Sequence, residues 1–222
     1  MIHSLFFKKE TNEDPKTSTV FENLILLPDM LFWSVLKQSC FDSGSMPLNC
    51  GALIKYEFWP HWNSHGTNNS YYVEPDVFFR FDKFDVIIEA KYGDYGGQNE
   101  EQWRKEIIAY HNTYGDSQAL IFIAVGGFQA KNKDEIIVDS VKVNIYKCSW
   151  QSILDSIEDL RKKLCNTSST IESAQVRLLD NLLLYYETQK MNAVKWYLPN
   201  KYSINENSIN NLKQSFLWIN QN

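Results

Sequence analysis

Two acids and a lysine hold matched places in two adjacent apolar segments: Asp76 opens Asp76–Phe81, while Glu89 and Lys91 close Asp85–Lys91. Placing Asp82-Lys83 at the centre of an even-length hairpin turn sets Phe81 opposite Phe84, Phe79 opposite Val86 and Val77 opposite Ile88. Side chains alternate faces along a strand, so Val77, Phe79, Phe81, Phe84, Val86, Ile88 and Ala90 share one wholly apolar face. A slip of one residue would scramble that face, which supports the register. Asp76, Phe78, Arg80, Asp85, Ile87, Glu89 and Lys91 occupy the other face. Asp76 then lies across from Glu89, with Cβ atoms roughly 5 Å apart. Carboxylates that close repel unless a cation stands between them, and hard oxygen donors suit Mg²⁺ or Mn²⁺. Lys91, two residues beyond Glu89, projects from the same side. A bound metal acidifies water, and a neighbouring ammonium can orient that water or offset developing phosphorane charge. Two acids and a lysine so placed point to phosphodiester hydrolysis.

Glu74-Pro75-Asp76 followed by Glu89-Ala90-Lys91 resembles the signature of the PD-(D/E)XK nuclease superfamily. The resemblance covers roughly residues 20–146. It implies a restriction-endonuclease-like α/β fold, a mixed sheet flanked by helices. It further implies metal ligation by Asp76 and Glu89 and a catalytic role for Lys91. That family often adds an acid from the first helix, where Glu22 fits, as a further metal ligand. It also often adds a catalytic Gln on the helix after the motif, where Gln102 fits. The implied activity is a Mg²⁺-dependent deoxyribonuclease, with Mn²⁺ able to substitute, serving restriction, phage defence or DNA processing. A catalytically silent interaction subunit of the same fold, or an RNA-cleaving enzyme with the same site, are the alternatives.

These residues need elements to carry them. A helical pattern over Phe21, Leu24, Ile25, Leu31, Phe32 and Val35 is kinked or split at Pro28, after a polar stretch, Lys8–Ser18, that reads as loop. Leu53–Trp59 reads as a strand and Asn63–Ser70 as a polar loop. Asn99 starts a helix reaching Tyr110 or beyond, with Gln102 placed as its capping-box partner, a competing job for that residue. Trp103, Ile107, Tyr110 and Tyr114 form its apolar face, and Glu106 reads as a surface residue within reach of Gln102. Ala119–Val125 resembles a fully buried strand, and Val141–Tyr146 is another. Ser149 caps a helix over Ile153–Leu164, a further helix spans about 171–190, and Ser208–Ile219 reads as a last one. The expected division is a nuclease core over 1–149 and a helical C-terminal extension over 150–222.

The chain has 222 residues, 44% hydrophobic, and a formal net charge of −5. An acidic balance opposes unaided binding to a polyphosphate, so DNA is expected to be delivered by a partner subunit or a homo-oligomer. The apolar patches Leu182–Tyr186 and Phe216–Ile219 are the candidate contacts. No apolar run reaches membrane-spanning length and no signal-peptide pattern opens the chain, which leads to a cytoplasmic expectation with no membrane partner. Cys40, Cys50, Cys148 and Cys165 are scattered without a CxxC pair, so they read as reduced thiols rather than metal ligands or a disulfide framework. GxxxxGK[ST], GxGxxG and GxSxG loops are absent. His61 and His65 lie in a Pro- and Gly-containing loop, where surface or substrate contact outweighs a metal site. Tyr71-Tyr72 and the Trp59–Trp62 segment could stack on unpaired bases, but aromatics beside a strand are more often core, the reading taken here. Lys131, Lys133 and Arg161-Lys162-Lys163 read as solvated faces.

Overall fold

Alternation on the Asp76–Lys91 hairpin governs the architecture, because a sheet with two apolar faces must be covered on both. A computed structural model of the chain describes residues 13–116, 118–128, 130–166 and 170–191. Its helices are α1 (Glu13–Leu24), α2 (Asp29–Ser39), α3 (Glu100–Tyr114), α4 (Trp150–Cys165) and α5 (Thr170–Thr188). Its strands are β1 (Leu53–Phe58), β2 (Trp62–Asn63), β3 (Tyr72–Val73), β4 (Val77–Phe81), β5 (Phe84–Ala90), β6 (Ala119–Val125), β7 (Asp134–Val138) and β8 (Val141–Cys148).

The main sheet has six strands in the order β1-β4-β5-β6-β8-β7, and β2 and β3 form a separate small ribbon. The β4–β5 hairpin pairs Val77 with Ile88, Phe78 with Ile87, Phe79 with Val86 and Arg80 with Asp85, as the alternation requires. β5 runs parallel to β6, and β6 parallel to β8. The remaining pairs, β1 with β4 and β7 with β8, are antiparallel. The sheet is therefore mixed, and helices cover both faces.

On one face Val77, Phe79, Phe81, Phe84, Val86, Ile88 and Ala90 join a large core with α1, α2, α4 and α5. On the other, Phe78 and Ile87 pack with Trp62 and Val73 of the ribbon and Trp103, Ile107 and Tyr110 of α3. Asp85 stays buried on this second face in an ion pair with the half-buried Arg80, and Tyr110 donates to Asp85 Oδ2 at 2.7 Å.

Several expectations need correction. The described part of the stretch read as loop, from Glu13 on, is the first turns of α1. Lys16, Thr17, Ser18 and Thr19 are buried, and the Thr19 hydroxyl donates to the Pro15 carbonyl at 2.6 Å. Their polarity does not mark exposure: Ser18 and Thr19 bond within the helix, and Lys16 reaches the Tyr92 carbonyl at 3.1 Å. Pro28 does separate two helices, standing just before α2. The capping box at Asn99 is half formed: its side chain accepts from Glu101 N at 2.9 Å, but the Gln102 side chain points elsewhere. Ser149 caps α4 in a capping box with Ser152.

The described helices beyond residue 149 are built into the core. Trp150, Ile153, Leu154, Ile157, Leu160, Leu179, Leu182 and Tyr186 all belong to the large cluster. Of the expected contact patch Leu182–Tyr186, the ends are thus buried, and Leu184 is the exposed member. The expected helix over Ser208–Ile219 and the patch Phe216–Ile219 lie outside the described residues. Among the described residues no helix is long and apolar enough to cross a membrane.

Candidate active site

Asp76 precedes β4 and Glu89 is the penultimate residue of β5, so the hairpin sets their side chains on the α3 face at the end of the central strands. Asp76 is 8% exposed and Glu89 2%. The Ala90 amide donates to Asp76 Oδ2 at 2.8 Å, and the Trp59 indole N–H donates to Oδ1 at 3.3 Å. Those donors aim the Asp76 carboxyl at the partner strand. Glu89 Oε1 accepts from Lys91 Nζ and, at 2.7 Å, from Gln102 Nε2. The four residues Asp76, Glu89, Lys91 and Gln102 are therefore brought together.

Glu22 is not in this group. Its carboxylate accepts from the Ser18 hydroxyl one turn back on α1. The acid that α1 does bring is Glu13: Oε1 lies 3.8 Å from Lys91 Nζ, and Oε2 accepts from the Tyr92 amide at 2.9 Å. Nine residues separate the two acids, about 13 Å along a helix axis, so both cannot serve one site. An acid in the first turn before Pro15 is a helix-start signal, hidden in the sequence by the polar residues that follow.

Glu106 is a second unexpected member. It is 1% exposed, not a surface residue. Its oxygens have no hydrogen-bond donor of good geometry, yet the Glu89 carboxyl and Gln102 amide are near enough to act on its titration. The spacing Gln102–Glu106 is one helical turn, and a shared face was the available signal. Gln98 completes the frame, donating to the Glu89 carbonyl at 2.9 Å and accepting from the Trp103 indole at 2.7 Å.

Electrostatics here are those of crowded buried acids. Burial, then repulsion from Glu89, pushes Asp76 well above the ordinary carboxylate range, against the Ala90 amide and Lys91. Burial, then Glu89 and Asp76, does the same to Glu106. Glu89 is raised by burial but less freely, since the Lys91 ammonium opposes it. Burial disfavours the charge on Lys91, but Glu89, Asp76 and Glu13 outweigh it and hold the lysine above its ordinary value.

The backbone behind Lys91 is held from several directions. Its amide donates to the Val125 carbonyl at 2.8 Å, extending the β5–β6 ladder. The Trp150 indole donates to its carbonyl at 2.7 Å, so α4 buttresses the lysine directly. Gly126 and Gly127 follow β6 with φ of 66° and 68°. A Cβ on Gly127 would stand 2.7 Å from Lys91 Cγ. Only glycine lets that chain pass the lysine stem so closely.

The remaining candidate contacts divide between core and surface. Trp59 and Trp62 are buried, as the core expectation requires, but Tyr71 and Tyr72 are exposed, against it. His61 hydrogen-bonds Glu74 at 2.9 Å and stacks on Tyr72. Arg161 pairs with Asp180, and Lys162 with Glu158 at 3.2 Å. The Lys131 ammonium lies 4.7 Å from the Phe41 ring centre.

Asp76 and Glu89 are the pair that could hold a cation. Among the described residues no group of three or more His, Cys, Asp or Glu side chains is arranged as a ready-made metal cage. No family model matches the chain. Over 161 residues it is 32% identical to an uncharacterized protein of Pasteurella multocida (strain Pm70), covering 66% of this chain and 59% of that protein. The chain thus spans less than two thirds of that relative, whose name states no activity.

Proposed function

We propose that this chain is a Mg²⁺-dependent nuclease of PD-(D/E)XK type that hydrolyses DNA phosphodiester bonds, acting in the cytoplasm within a restriction, phage-defence or DNA-processing system. The observation that carries the reading is one buried cluster in which Asp76 faces Glu89 while Lys91 and Gln102 both hold Glu89. Buried acids beyond the one lysine leave surplus negative charge, which a divalent cation would relieve. Magnesium sites of this kind use one or two carboxylates and complete the shell with water and substrate oxygens, a donor set that Asp76 and Glu89 match. When bound, the metal would acidify water and neutralise phosphate charge.

The chain's own residues have separable tasks. Asp76 and Glu89 would hold the cation. Lys91, kept charged by Glu89, would orient the attacking water and stabilise negative charge on the scissile phosphate. Gln102 would fix the Glu89 rotamer from α3. Partner delivery, by another subunit or a second copy, remains part of the proposal because the net charge is −5.

Cleavage of plasmid, single-stranded DNA and RNA with Mg²⁺, Mn²⁺ or EDTA tests this. Metal-dependent cutting is expected, falling by about 100-fold or more in Glu89→Ala and Lys91→Ala. Cutting that persists in EDTA or in Glu89→Ala overturns the reading. Preferred cutting of RNA would move the substrate class and leave the site intact.

A further inference from the structure

We infer that exposed tyrosines on both sides of the carboxylate cluster form a stacking platform for an unpaired DNA strand; this substrate class rests on the nuclease reading. Tyr71 is 90% exposed and Tyr95 88%, with Tyr72 and Tyr92 about half exposed. Single exposed aromatics are ordinary surface features. These four occupy two segments that begin and end on the site. Tyr92 follows Lys91 directly, its amide on Glu13 and its carbonyl accepting from Lys16 Nζ at 3.1 Å. The segment carrying Tyr95 returns at Gln98, which donates to the Glu89 carbonyl. On the other side Tyr71 and Tyr72 lead through Glu74 to Asp76. The His61 ring lies parallel to Tyr72, with centres 3.7 Å apart and planes 12° from parallel, and is tied to Glu74. That stack sets the plane of Tyr72 before any ligand arrives. The loop before Tyr71 is pinned to α3 beside Gln102, where Asn68 donates to Glu101 at 2.9 Å.

Charge separates the possible occupants. The rim carries Glu13, Glu74, Glu101 and Asp94, the last accepting from the Trp150 amide; its cations Lys91, Arg104 and Lys105 are paired with Glu89, Glu100 and Glu101, and Lys131, beside Tyr95, lies over the Phe41 ring. A duplex presents about twice the phosphate density of a single strand and hides its base faces. A single strand offers every base to an aromatic ring, and such stacking tolerates any sequence. Binding through rings therefore suits this acidic rim, and binding through phosphates does not.

The test is binding of the full chain, in EDTA, to labelled thymidine oligomers of about 12 nucleotides, to a duplex of that length and to an abasic strand of that length. The intact strand is expected to bind at least about tenfold tighter than either control, with a shallow salt dependence between about 50 and 200 mM. Replacing Tyr71 and Tyr95 together by Ala should weaken binding about tenfold or more, and replacing both by Phe should restore it. Equal or tighter binding of the duplex or the abasic strand, no binding, or an Ala pair equal to wild type would each overturn the platform. EDTA keeps this result independent of cleavage. Strand binding without metal-dependent cutting would support the platform and count against the nuclease reading instead.

Discussion

At the scale of single residues, the site is a contest between burial and pairing. Glu89 is the pivot, because Lys91 and Gln102 both donate to one of its oxygens. Gln102→Ala removes an orienting donor and leaves the charges in place. If Glu89 holds a cation as proposed, cleavage is expected to fall about 10–100-fold, mostly in kcat with KM little changed, as when a partner that orients a ligating carboxylate is lost. Steady-state kinetics on one oligonucleotide would check this. Lys16 shows what burial does without such compensation. It sits over the Trp150 ring at 4.4 Å, and desolvation, only partly offset by Asp94, lowers its pKa to about 8. Between pH 8 and 10.5 the unfolded chain keeps a proton on Lys16 that the folded chain has released. Stability relative to Lys16→Met should therefore rise across that window, by on the order of 3 kcal/mol, and stay flat below it. Urea midpoints of both proteins from neutral pH upward would measure the difference, and a flat difference would contradict a buried, depressed lysine.

At the scale of elements, two features aim the cluster: the hairpin register and the turn after β6. The register follows from alternation alone, since only one pairing keeps seven apolar side chains on the core face. The turn is less visible in sequence. Gly115 and Gly127 both have positive φ, but a Cβ on Gly115 meets nothing, while on Gly127 it collides with the Lys91 stem. Alanine at either position should cost about 1–3 kcal/mol of stability from the positive-φ backbone. Only Gly127→Ala should also abolish cleavage. Thermal melts beside cleavage rates for the two variants separate backbone strain from displacement of the lysine, and equal activity would remove Gly127 from the account.

At the scale of the whole molecule, the helices beyond residue 149 are structural. Trp150 is buried and bonds the Lys91 carbonyl, and α5 adds Leu179, Leu182 and Tyr186 to the same core. Buried side chains of this size are worth roughly 3–5 kcal/mol each when truncated, comparable to the stability of an entire domain. A fragment of residues 1–149 is therefore expected to lack a cooperative melting transition and to expose its core to a dye such as ANS. A fragment that melts cooperatively would show that the extension is dispensable, as a separate 150–222 unit would require.

Sequence alone determined the hairpin, its register and the meeting of Asp76 with Glu89 and Lys91, because strand alternation is local and binary. It also determined most element types, where apolar spacing is regular, and the break before α2, where Pro28 enforces it. Only tertiary structure decided that Glu13 rather than Glu22 faces the lysine, and that Glu106 is buried beside Glu89. It also decided that the Trp59 indole bonds Asp76 and the Trp150 indole holds the Lys91 backbone from behind, while Tyr71 and Tyr95 face solvent. The strand β7 and the β2–β3 ribbon also emerge only there, since each is completed by a partner strand. The physical reason is common to these cases. A polar or aromatic side chain has two stable fates, water or a matching partner, and the partner lies on an element whose position the local sequence does not encode.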